Sequence, residues 1–338
     1  MSVTKRDRIA AVFHNEKTDK VPVGFWHHFT DNPRGENAFL HPEIADTVLA
    51  GQASFVKSFS PDLIKIMTDG FFGYSNPVLN RPLADIREAA QIKPLGKDSD
   101  WYRSQIHYAK RYVDIYGQDV PLFYNLFAPV RTLAILQSNA GQDSQKQILH
   151  WLQEAPKVLE QVLAVIAEDY SLLAKGLIEE AGVDGIYLSV NSINYDQVTG
   201  NQYAETIAPS EIQVLQAAKE VKDNNILHIC GFKGFHNHLE WYTEYPALVF
   251  NWAVHVEGYS LSKGKELFGG HAVIGGFGQT EQDLLYEGTE KEIKEETRRL
   301  LQDAGTTGVI LGADCTIPRN TDPRHLQWVR EAADSFIK

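Results

Sequence analysis

The chain has 338 residues, 22% charged and 43% hydrophobic, with a formal net charge of −12 and two cysteines. This balance is ordinary for a globular protein, excludes a global basic field for nucleic acid or anionic membrane, and is too poor in cysteine for a disulfide framework. No apolar run reaches the length of a bilayer span and the N-terminus lacks a signal-peptide core, so the expectation is a cytoplasmic protein, its thiols free to bind metal.

Residues 4–16 are amphipathic, with Ile9, Val12 and Phe13 at helical spacing; with the turn at 18–20 they make a helical extension over residues 1–20. Residues 21–26 (Val-Pro-Val-Gly-Phe-Trp) read as a first strand, Pro22 fitting its start, and deliver His27 and His28. A helix over 41–58 precedes a second strand over 63–67, which ends at Thr68, Asp69 and Gly70. A helix over 101–116 leads to a third strand over 120–127, carrying Asn125 near its end. Short helices over 132–138 and 144–151 and a long one over 156–181, closed by Gly182, follow. The fourth strand, 185–190, exits at Asn191, Ser192 and Asn194. A helix over 209–221 separates it from the fifth strand, 226–230. The sixth, 247–254, is followed by His255, and the seventh, 272–277, by Gly278 and Gln279. A charged helix over 289–304, the eighth strand, 308–312, and a helix over 323–336 complete the chain.

Eight apolar strands alternating with helices, with no linker or repeat, predict a parallel sheet with helical crossovers. The length suits one TIM (β/α)8 barrel over residues 1–338. No Gly-x-Gly-x-x-Gly follows the first strand, which counts against an open dinucleotide-binding sheet. A barrel collects chemistry at the C-terminal ends of its strands. The polar residues expected there are His27, His28, Asp69, Asn125, Ser189, Asn191, His228, Cys230, His255, Gln279 and Cys315.

His228 and Cys230, two apart in a strand, point to one face, and Cys315 leaves the last strand toward the same mouth. One imidazole and two thiolates suit zinc, leaving a fourth position for water or substrate; the alternative is a packed histidine and two small apolar cysteines. His255 and Glu257 are candidates for a fourth ligand. Asp69 is a candidate to orient substrate or accept a proton, or else caps the turn after its strand. Tyr187, Phe25 and Trp26 are candidate walls of an apolar pocket. His28, Asn125, Asn191 and Gln279 are candidate substrate-binding residues; of His27 and His28, neighbours in one strand, only one can face the mouth.

The order of these features resembles the uroporphyrinogen decarboxylase superfamily. Residues 6–9 (Arg-Asp-Arg-Ile) through 19–23 (Asp-Lys-Val-Pro-Val) are similar to its first helix and strand. Residues 62–69 are similar to its second strand, which ends in a functional aspartate, and residues 181–186 to its fourth-strand entry. Residues 305–318, followed by Thr321-Asp-Pro, resemble its closing segment. The likeness covers nearly the whole chain. It departs from the true decarboxylases after the first strand, where they carry arginines for the acid side chains of a porphyrinogen. Here residues 24–29 read Gly-Phe-Trp-His-His-Phe, and the nearby arginine is Arg34.

His228-x-Cys230 with Cys315 instead matches the zinc motif of the family's corrinoid-dependent methyltransferase branch, and is similar to that of cobalamin-independent methionine synthase. This resemblance implies a zinc enzyme that moves a methyl group between a corrinoid or related carrier and a small thiol activated as zinc thiolate. It implies a corrinoid held by a partner protein; a homodimer is an open expectation. Two other readings stay open: a metal-free uroporphyrinogen decarboxylase, and a non-catalytic barrel that binds a corrinoid or tetrapyrrole.

Overall fold

The computed structural model describes residues 3–192, 197–231 and 234–337; Asn194, expected at the exit of the fourth strand, lies outside them. Seven strands form one parallel sheet in sequential order: β1 (Ile64–Ile66), β2 (Leu122–Phe127), β3 (Gly185–Val190), β4 (Ile226–Ile229), β5 (Val249–Trp252), β6 (Ala272–Phe277) and β7 (Val309–Ala313). Almost every strand residue is buried, as expected of a parallel sheet covered by helices. The sheet is curled, and the architecture is TIM-barrel-like.

The helices form where their periodicity places them. Glu43–Phe59 buries Val48, Phe55 and Phe59, and Asp100–Tyr116 starts on a Ser99 cap. The expected helix over 156–181 is regular only over Pro156–Gly176; one π-helical turn, Leu177–Ala181, completes it, and Gly182 ends it at φ 85°, a backbone geometry glycine adopts freely. No helix among the described residues is long and apolar enough to cross a membrane.

The first expected strand, residues 21–26, is the main correction: it makes a single parallel bridge, Val23 to Leu311, rather than a ladder. Two donors are missing from it. Pro22 has no N–H, and the Val23 N–H is taken by the Asp62 carboxylate at 2.9 Å. The backbone still touches both edges of the sheet. Gly24 N donates to Leu311 O, Leu311 N donates to Pro22 O, and Asp62 N, just ahead of β1, donates to Val23 O. The approach to β7 is close enough that a Cβ on Gly312 would sit 2.7 Å from the Gly24 carbonyl oxygen.

Asp62 is buried and also holds Arg330 at 2.7 Å and Arg8 at 3.3 Å. It therefore ties the N-terminal helix, the closing helix and the Val23 segment to one carboxylate. Asp62→Ala leaves two guanidinium groups without that partner, and a loss of about 3 kcal/mol in unfolding free energy is expected. Urea unfolding checks this; a loss below about 0.5 kcal/mol would remove Asp62 from this role.

Candidate metal centre

The site is built where β4 and β7 end. His228 sits on β4 in register with Ser189 of β3 and Asn251 of β5. Cys230, two residues on, keeps the pairing through its N–H to Val190 O at 2.8 Å, so both side chains share a face. Cys315 lies two residues beyond β7. Its neighbour Asp314 donates its N–H to Phe277 O at the end of β6, while the Asp314 carboxylate accepts the His255 N–H at 2.9 Å and meets the His255 ring at 2.8 Å. These contacts hold the turn that presents the thiol.

The two sulfurs lie 4.0 Å apart, and Cys315 Sγ lies 3.4 Å from His228 Nε2. All three donor atoms fall within 4.8 Å of one another. With bonds of about 2.3 Å to sulfur and about 2.0–2.1 Å to nitrogen, tetrahedral zinc spaces such donors roughly 3.6–3.8 Å apart. Little movement separates the observed triangle from that arrangement.

The imidazole is oriented by Asn251. The Asn251 Nδ2 donates to Ile274 O at 2.7 Å and Ala313 O at 3.2 Å, so its Oδ1 is the end that meets His228 Nδ1, at 2.5 Å. His228 Nδ1 must then carry the proton, leaving the Nε2 lone pair toward the cysteines, the tautomer and support a metal-binding histidine needs. Tyr187 OH donates to the same Oδ1 at 2.6 Å. The Cys315 thiol is held well below its ordinary pKa, first by the Cys230 contact and also by the Lys65 charge, with burial opposing. A low thiol pKa favours the thiolate that binds metal. The donor set fits zinc.

His228, Cys230 and Cys315 line a cavity of about 560 Å³ together with His28, Lys65, Asn125 and Gln279 and the apolar Met67, Phe72 and Phe127. Of the expected pair, His28 reaches this cavity while His27 is packed between Phe29 and Phe55, where burial lowers its pKa. Asp69 does not line the cavity. It is fully buried beneath His28, its Oδ1 2.6 Å from His28 Nδ1 and its Oδ2 accepting the Phe29 N–H at 2.7 Å. Asn125 Nδ2 donates to Thr68 Oγ1, while Asn125 Oδ1 and Gln279 Oε1 are buried without a hydrogen bond.

His255 and Glu257 are not brought to the metal donors. Glu257 holds Asn237 N at 2.9 Å, and Asn237 Nδ2 in turn reaches Cys230 O at 3.2 Å, so it braces the segment after Cys230. Phe25, Trp26 and Tyr187, expected as pocket walls, are buried and do not line the cavity; the Tyr187 ring packs 5.4 Å from the rings of His228 and Trp26.

Asn191 is buried just after β3 but does not line the cavity. Its carbonyl lies 3.4 Å from the Tyr203 hydroxyl, part of a cluster in which Tyr203 and Tyr245 approach one oxygen of the fully buried Glu211 at 2.8 and 2.7 Å.

Two residues of the site escape a reading of the sequence. Asn251 lies inside an apolar run, and Lys65 stands between two isoleucines of β1. A polar residue interrupting an otherwise apolar buried strand is the signal in both cases. Burial lowers the Lys65 pKa to about 8, against the opposing pull of Cys315, Cys230 and Asp69.

The family description Uroporphyrinogen decarboxylase (URO-D) matches residues 70–336. No curated protein sequence matches the chain. A methyltransferase from Methanosarcina mazei is similar in fold over 100% of both chains, with a TM-score of 0.72 at 20% identity. A B12-independent methionine synthase from Shewanella sp. W3-18-1, in complex with selenomethionine, aligns over 69% of this chain and 66% of its own, with a TM-score of 0.43 at 12% identity.

Asn251→Ala removes the acceptor for His228 Nδ1–H, and metal affinity is expected to fall about 10- to 100-fold; competition with a chelating dye measures it, and an unchanged affinity would contradict the orienting role. The Glu211 cluster has a pH signature. Burial pushes the Glu211 carboxyl from 4.5 up to about 8, so the folded chain keeps a proton that the unfolded chain releases. The stabilisation this gives is full below pH 4.5 and is lost as pH rises to about 8. Urea midpoints at about pH 5 and about pH 8 should differ less in Glu211→Gln than in wild type; an equal difference would refute the assignment.

Proposed function

The chain belongs to the uroporphyrinogen decarboxylase family, and within it we propose a zinc-dependent methyltransferase that moves a methyl group between a corrinoid or related carrier and a thiol. The observation that carries this is the convergence of His228, Cys230 and Cys315, the sulfurs 4.0 Å apart, in the wall of one cavity. The contacts of residues 22–24 with both sheet edges support reading that segment as the eighth, closing element of a barrel, with the cavity at its mouth.

His228, Cys230 and Cys315 would hold zinc, which supplies the Lewis acidity that keeps a thiol deprotonated at neutral pH. The chain's own residues prepare the rest. Asn251 aims the imidazole, and the Asp314–His255 contact fixes the turn carrying Cys315. Met67, Phe72 and Phe127 make the wall apolar, which lowers the hydration of a sulfur nucleophile. Asp69 orients His28, so its part in the chemistry runs through that imidazole, which is placed to contact substrate in the cavity. The thiolate attacks the methyl carbon, and the carrier leaves with the electron pair of the broken bond. A small thiol suits the cavity volume, and a corrinoid on a partner protein would meet its mouth.

The metal-free decarboxylase reading has one observation in its favour, Arg34 and Arg319 on the cavity wall. Arg319, however, is committed to Asp31 and to the Phe29 carbonyl, and that reading leaves the paired cysteines without a use.

Purified protein is expected to hold about one zinc per chain, and Cys230→Ser to lose most of it, because a hydroxyl is a poor substitute for a thiolate. With methylcobalamin and a small thiol, the wild type should form the methyl thioether and Cys230→Ser should not. Zinc near zero in carefully prepared wild type, or coproporphyrinogen formed anaerobically from uroporphyrinogen, would overturn the proposal.

A further inference from the structure

Lys65 projects from the middle of β1 into the cavity that holds the cysteines, and only 5% of it is exposed. Among the described residues its ammonium has no hydrogen bond and no carboxylate partner. Its neighbours are aromatic faces: the Tyr187 ring centroid is 4.1 Å from Nζ and the Trp26 ring 5.2 Å. Asp69, the nearest carboxylate in electrostatic terms, already engages Phe29 N and His28 with its two oxygens. A buried cation with no counter-ion is a costly arrangement, of which contact with ring faces recovers only part. Methionine or leucine would fill the same strand position without that cost. The strongest electrostatic partners of Lys65 are the thiols of Cys315 and Cys230; once a metal neutralises these, the anion that balances Lys65 has to come from the cavity's contents.

The charge inventory says which anion is short of a partner. On the zinc reading, a divalent ion with two thiolates and a neutral imidazole is neutral overall. A third thiolate at the open position brings the site to a net charge of −1, in a cavity whose other lining cations are Arg34 and Arg319, the latter paired with Asp31. The Tyr187 ring is close to both groups, 5.4 Å from the His228 ring and 4.1 Å from the Lys65 ammonium.

We infer that Lys65 is the counter-charge for the anionic ligand that joins the metal, a positioning residue that makes the site prefer thiolates over neutral donors. This rests on the zinc reading. It requires no bond between Lys65 and the metal, and it assigns to a strand residue a selectivity that the three ligands do not themselves provide.

Cobalt(II)-substituted protein tests it without turnover, because the visible absorption of cobalt reports ligands entering the fourth position. Wild type, Lys65→Met and Lys65→Arg are titrated with 2-mercaptoethanol, whose sulfur is its only charged group when bound, and with imidazole, a neutral donor. Lys65→Met should weaken 2-mercaptoethanol roughly tenfold, the order of a unit charge acting across several ångströms of partly buried protein. Imidazole affinity should change less than about twofold, and Lys65→Arg should restore most of the thiol affinity. Lys65→Met should also melt no lower than wild type, since it loses a buried charge. Equal weakening of both ligands, or of neither, would overturn the inference while leaving the metal site standing. So would a loss confined to 3-mercaptopropionate, because Lys65 would then be reading a substrate's acidic tail. Failure of both Lys65→Met and Lys65→Gln to take up cobalt would also overturn it, since a counter-charge is not a ligand. Failure of wild type to take up cobalt would instead bring down the zinc reading itself.

Discussion

One buried amide holds the candidate site together. Asn251 of β5 donates to Ile274 of β6 and Ala313 of β7, and accepts from His228 of β4 and Tyr187 of β3. Five consecutive strands thus meet at one side chain that is completely removed from solvent. Ala313 lies two residues before Cys315, so the same amide that aims the imidazole also fixes the height at which β7 releases its thiol. In a core this dry an unmatched polar atom costs about 1–3 kcal/mol, which makes the register of these strands hard to alter without loss. The geometry of the three donors follows from that network more than from local turns.

Charge is handled by separation. Asp62 and Asp69 are both buried carboxylates flanking β1, yet each is saturated within the protein, Asp62 by Arg8, Arg330 and Val23 N, Asp69 by His28 and Phe29 N. Neither is left to bind a cation. The cavity instead presents two sulfurs, an imidazole nitrogen and an ammonium. A pocket so furnished is suited to a soft metal and an anion, and poorly suited to hard-cation chemistry built on carboxylates.

Much of this was legible in the sequence. Apolar runs separated by helical periodicity located all seven ladder strands, and the i, i+2 spacing of His228 and Cys230 put them on one face. The strand over residues 21–26 failed for a local reason: Pro22 lacks a donor, and the next N–H is captured by a side chain 39 residues away. Asp69 was legible as a strand-end acid, but its burial under His28 depends on contacts with His28 and Phe29, some 40 residues earlier in the chain, which no local pattern encodes. Lys65 and Asn251 stayed hidden because a strand buried on both faces has no alternation to show which side a residue faces. For such strands the informative mark is the polar exception.

The remaining polar atoms constrain the ligand further. Asn125 Oδ1 and Gln279 Oε1 belong to cavity-lining side chains, are buried, and accept no hydrogen bond. Asn125 cannot relieve this by turning its amide, because its Nδ2 already donates to Thr68 Oγ1 at 3.1 Å. Two acceptors and a cation lining one cavity are complementary to a molecule that brings hydrogen-bond donors alongside its negative charge. On the proposed zinc–thiol reading, a bare alkyl thiol would leave both acceptors unmatched. A thiol bearing a hydroxyl, amine or amide would engage them, and each bond so gained contributes about 0.5–1.5 kcal/mol, enough for the cavity to discriminate among thiols whose sulfur chemistry is the same.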